Sequence, residues 1–124
     1  MRGIAFLFFV TAALCVTLGM AWGIHMSASG DHTLAGAHAH LNLVGWVTMA
    51  LFGIYYHLVP AAADTLLAKV HYAVALAGVV LLVPGIVQAI RLTGETLAKA
   101  GSALTLASMA IFLFTVARQG LRPA

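Results

Sequence analysis

The stretch LAGAHAHLNLVGWVTMALFGIYYHLV, residues 34–59, decides the fold. It contains no Asp, Glu, Lys or Arg and exceeds the roughly 20 residues a helix needs to cross hydrocarbon. Working outward, three further apolar runs cover about residues 3–24, 70–90 and 97–117. The six Lys/Arg and three Asp/Glu lie outside these runs or at their edges. With 63% hydrophobic and 7% charged residues and a mean hydropathy of +1.05, the chain is far from the roughly 25% charge of soluble domains. A membrane barrel needs alternation between a lipid face and a polar lumen face, which no run shows. The sequence predicts an all-α integral membrane four-helix bundle, a single transmembrane domain over 1–124 with helices at about 3–26, 34–59, 68–91 and 97–118.

The first run follows Arg2 and is longer than the roughly 7–15-residue apolar core of a secretion signal, so it reads as a retained span. Cys15, the single cysteine, reads as a small packing residue rather than a lipidation site. An even number of spans puts both termini and the 59–68 connection on one side. That side holds Arg2, Lys69, Arg118 and Arg122, against Arg91 and Lys99 on the other. Four against two predicts cytoplasmic termini in a bacterial-type inner membrane. This topology accounts for the net charge of +3 without nucleic acid, and membrane lipid is the expected surrounding partner.

Six histidines sit at the ends of these spans. Ionisable residues at membrane depth mark functional sites by default, and neutral imidazole is the commonest metal ligand. The topology sorts them into one layer with His25, His32, His38 and His40 and another with His57 and His71. His40 and His57 are separated by roughly 25 Å along one helix, too far to share an ion. His38 and His40 point about 200° apart around the axis, a poor chelate but suited to serving two partners. His38 shares its face with Asn42, Gly45, Met49 and Tyr56, and His40 with Leu43, Val44, Val47 and Leu51. An aliphatic slot capped by a histidine suits a flat porphyrin. The plain alternative for His25, His32 and His71 is a wet interfacial position, and for His57 a structural one. Trp22, Trp46, Tyr55, Tyr56 and Tyr72 read as interfacial aromatics. Pro84 should kink or loosen the third span, and with Gly85 make room for a neighbour.

His40-Leu41-Asn42-Leu43 resembles the start of the second helix in the catalytic subunit of heme-copper oxidases and nitric oxide reductases. There the histidine is an axial ligand of low-spin heme b. Gly53-Ile54-Tyr55-Tyr56-His57-Leu58-Val59-Pro60 resembles the end of that helix, with a one-residue shift between the two matches. His38-Ala39-His40 resembles the His-x-His of the family's tenth helix, whose two histidines serve two hemes. The resemblance covers about 25 residues of the second span. The family's subunit is built as three pseudo-repeated groups of four helices, and this chain has the size of one group.

The resemblance implies a b-type heme with bis-histidine ligation and a role in electron transfer. Candidate cofactor-binding residues are His40, His38, His25, Asn42 as an orienting amide and Arg91 for propionates. Candidate metal ligands are His38, His40, His57 and His71, the last two as a second heme or metal site. A homo-oligomer, dimer or trimer, could share hemes between subunits; within one chain, His25 could pair with His38 or His40. A quinone or cytochrome would be the redox partner. No complete oxygen- or nitric oxide-reducing site is recognisable, so no catalytic residue is assigned. Alternatives are a copper- or zinc-binding membrane protein and a non-catalytic structural subunit of an oxidase complex.

Overall fold

In the computed structural model, residues 1–121 are described, and Arg122 lies outside them. The described residues form an all-α bundle of four helices, each long and apolar enough to span a membrane: α1 (Gly3–Ser29), α2 (Ala35–Leu58), α3 (Leu66–Ile90) and α4 (Thr96–Gln119). A short helical turn, Pro60–Ala63, joins α2 to α3. The predicted spans hold, with ends moved by local chemistry. α1 continues past residue 26 until Gly30 takes a left-handed conformation (φ 71°) and returns its N–H to the Met26 carbonyl. α2 stops at Leu58 because Val59, preceding Pro60, is forced out of the helical region. α3 begins before residue 68, where Thr65 accepts a hydrogen bond from the Ala68 N–H at 3.1 Å.

Within α2, residues Leu41–Thr48 are π-helical. Wider i→i+5 turns hold more residues than the 3.6 of an α-helix, so positions four apart stay nearly in line. Ala37, Gly45, Met49 and Gly53 thereby form one buried column. Gly45 receives Cys15, which is buried as a packing residue, and Gly53 lies against the backbone of Ala5 and Phe9. These contacts seat α1 on α2. α3 and α4 form the most extensive pair. A Cβ on Gly85 would collide with the Ala98 backbone, and one on Gly101 with that of Leu82. α3 runs on through Pro84, which faces outward, and Gly85 makes the room for the neighbour.

The core lies towards the end of the bundle that carries the termini. There Phe8, Phe52 and Tyr56 are buried together and Phe112 packs on them. Tyr55 ties the end of α4 by donating to the Gly120 carbonyl at 2.8 Å. The outer surface is largely aliphatic: Leu14, Leu43, Leu51, Leu106 and Leu113 are all more than half exposed. Such a surface is compatible with hydrocarbon and costly in water.

Candidate functional site

His40 and His38 leave α2 in opposite senses, as their spacing predicts. His40 is exposed, on the same face as exposed Leu43, Val47 and Leu51. Its Nδ1 lies 2.7 Å from the Gly36 carbonyl. A carbonyl only accepts, so Nδ1 carries the proton and Nε2 keeps its lone pair. Among the described residues Nε2 has no hydrogen-bond partner. A ring oriented through Nδ1–H with a free Nε2 is the arrangement metal-ligating histidines use. His40 lies five residues from the start of α2, roughly 8 Å in from that end.

His38 turns inward. Its Nε2 donates to the Gly19 carbonyl of α1 at 2.9 Å, and Trp22 meets the ring edge-on. Asn42 also faces Nε2, at 3.4 Å, so the predicted orienting amide serves His38 and not His40. The Asn42 atom at that distance is Nδ2; because His38 Nε2 already donates, the amide turned over would present its oxygen there as an acceptor. Gly23 allows the approach: a Cβ there would lie 3.2 Å from His38 Nε2.

At the same end, His25 and Arg91 line a polar cavity of about 210 Å³ with Trp22, Met26, Ser29, Asp31, Thr33 and Leu34. Asp31 accepts hydrogen bonds from the Thr33 hydroxyl and N–H, which hold its carboxyl below the usual carboxylate range. His32 is exposed beside this loop. His25 and Arg91 thus share one pocket, while no hydrogen bond joins His25 to His38 or His40 among the described residues.

The packing places His57 and His71, expected as a second site, in different surroundings. His57 is exposed, whereas His71 has no exposed surface. The His71 ring is enclosed by Phe8 and Phe52, with centroids at 5.0 and 4.5 Å. Tyr56 Oη lies 2.8 Å from Nδ1, and Ser108 Oγ 3.2 Å from Nε2. Both ring nitrogens are therefore engaged within the chain. Nor is His71 interfacial: it links α2, α3 and α4 in the core. Among the described residues no group of three or more His, Cys, Asp or Glu is arranged to hold a metal ion within the chain.

Tyr56 and Ser108 are the residues that sequence reading missed. Tyr56 read as an interfacial aromatic, yet it is 1% exposed. Tyr72 is likewise drawn inward, half-buried and bonded to Thr11 at 2.7 Å. Tyr56, His71 and Ser108 stand on three helices, so no spacing announces them. His71→Ala is expected to cost about 3 kcal/mol, from the void and two unpaired hydroxyls. His57→Ala should change stability by less than about 0.5 kcal/mol. Reversible denaturation in mixed micelles, followed by circular dichroism, checks both.

Compared with family models, curated proteins and solved structures, the chain matches none of them.

Proposed function

We propose that this chain is a b-type heme membrane protein that transfers electrons, with His40 as an axial ligand. The observation that carries the reading is the His40 ring, held through Nδ1 by Gly36 with Nε2 unspent above an exposed aliphatic face. When bound, heme b supplies one-electron redox chemistry. His40 provides the ligand and Gly36 fixes its tautomer and direction. Leu43, Val47 and Leu51 offer an apolar wall that excludes water. Arg91, with His25 in the polar cavity at the same end of the bundle, provides positive charge for carboxylates. Two imidazoles would leave no open ligand position, which suits electron transfer rather than gas chemistry.

His40 points away from its own bundle, so we assign the second imidazole to His40 of another copy across a two-fold axis, an isologous contact. The chain would then work as a homodimer. The resemblance of the second span to oxidase and nitric oxide reductase subunits supports this reading. Its one-residue shift falls across the π-helical stretch Leu41–Thr48, where a helix accommodates an added residue. The charge count favours cytoplasmic termini in a bacterial-type inner membrane.

Protein purified from heme-replete membranes tests the proposal through heme, copper and zinc per chain together with the mass of the assembly. One heme per two chains in a dimer is expected. A monomer with a full heme would overturn the shared site, and stoichiometric copper or zinc without heme would move the assignment to metal binding.

A further inference from the structure

A second cavity, of about 220 Å³, lies midway along the helices between α2, α3 and α4. Val44, Thr48, Met49, Phe52, Ala75, Val79 and Met109 provide most of its wall, and Thr105 and Ser108 its hydroxyls. By residue count along the helices, Thr48, Val79, Ser108 and Met109 sit roughly 15–20 Å from either end of the bundle, at the depth of hydrocarbon. Partly exposed Val44 and Thr48 and exposed Met109 form its rim, so the cavity is reached from the side, through lipid.

The hydroxyls differ in what they have to give. Thr48 is spent, donating to the Leu43 carbonyl at 2.8 Å. The Thr105 hydroxyl is buried and has no partner among the described residues. Ser108, 3% exposed, has His71 Nε2 as its one hydrogen-bond partner among the described residues. In the His71 tautomer with its proton on Nε2, Nδ1 accepts from the Tyr56 hydroxyl and Nε2–H donates to Ser108. The Ser108 proton is then free, and its donating power is raised by the chain behind it. Ser108 thus offers one buried hydroxyl donor at the wall of an apolar chamber, while the Thr105 hydroxyl lies against Gly78 behind that wall. An apolar cavity of about 150 Å³ holds benzene, so this chamber has room for a substituted ring.

We propose that this cavity binds the ring of a lipid-soluble quinone, with a ring carbonyl accepting from Ser108. The site is separate from His40, and ligand retention reports on it whether or not heme is present. Full-length protein freed of endogenous quinone is titrated in detergent with decylubiquinone and, in parallel, with decylbenzene, which has the tail and a ring but no carbonyl. Saturable binding of one decylubiquinone per chain is expected, with decylbenzene at least about threefold weaker. Ser108→Ala should weaken decylubiquinone about three- to tenfold, whereas Thr105→Val, which removes a hydroxyl enclosed against Gly78 and leaves the His71 contacts intact, should bind it within about twofold of wild type. Val79→Phe, which fills the chamber, should abolish binding while the helical spectrum is kept. Absence of saturable binding overturns the proposal. Equal binding of decylbenzene, which marks an acyl-chain slot, overturns it too, as does full binding by Val79→Phe.

Discussion

His40→Ala is expected to remove bound heme, by more than about tenfold per chain, while the four helices stay folded. The His40 side chain is exposed and, among the described residues, its one hydrogen bond is to a carbonyl in its own helix. Its loss leaves no cavity and no buried unpaired group, so the cost to stability should remain within about 0.5 kcal/mol. Loss of the ligand with retention of the fold is the signature of a binding residue. His38→Ala should behave differently. It removes a contact between α1 and α2 and leaves the Gly19 carbonyl without its partner, a cost of about 1–3 kcal/mol. Heme retained in His38→Ala and His57→Ala, and lost in His40→Ala, is the expected pattern. Pyridine hemochrome assay with circular dichroism on the same samples measures both quantities.

The second large effect lies far from that site. Gly85→Leu or Gly101→Leu should prevent α3 and α4 from pairing. A Cβ at either position falls on the backbone of the opposite helix, which a rotamer change cannot relieve. Overpacking against side chains costs about 1–3 kcal/mol, and overlap with backbone should exceed that range. In a membrane the helices stay inserted, so helical content should persist while packing is lost. Gly36→Ala is the control, since a Cβ there meets only Ile90 at 3.8 Å, an ordinary contact. Size-exclusion profile and protease resistance in micelles read the difference. A sharp, wild-type-like peak for Gly101→Leu would show that the close crossing is dispensable.

The fold was legible because membrane spans are written in composition: uncharged runs of the right length admit few other structures. The opposed senses of His38 and His40 were legible too, since two residues on a helix turn through a fixed angle. The aliphatic face beneath His40 followed from that angle and remains exposed. Less could be read where the outcome depends on partners from distant parts of the chain. His71 and Tyr56 look like interfacial residues by position, yet Phe8 from α1 packs on both and Ser108, far along the sequence, meets His71. Asn42 lies four positions from His38 and meets it as that shared face predicts, but the Gly19 carbonyl that holds the ring comes from α1 and no spacing announces it. The π-helical stretch also escapes periodicity, since a uniform helix predicts much the same faces over a few turns. Its effect accumulates over the length of α2, where it keeps Gly45 and Gly53 in one column against α1.

The most direct test of the heme assignment is the absorption spectrum of the wild-type protein, purified from heme-replete membranes and recorded oxidised and then reduced. The account predicts a sharp reduced α band and a red-shifted Soret band, both unchanged by carbon monoxide, as two imidazole ligands require. A colourless protein, or a broad high-spin spectrum that shifts with carbon monoxide, would contradict it.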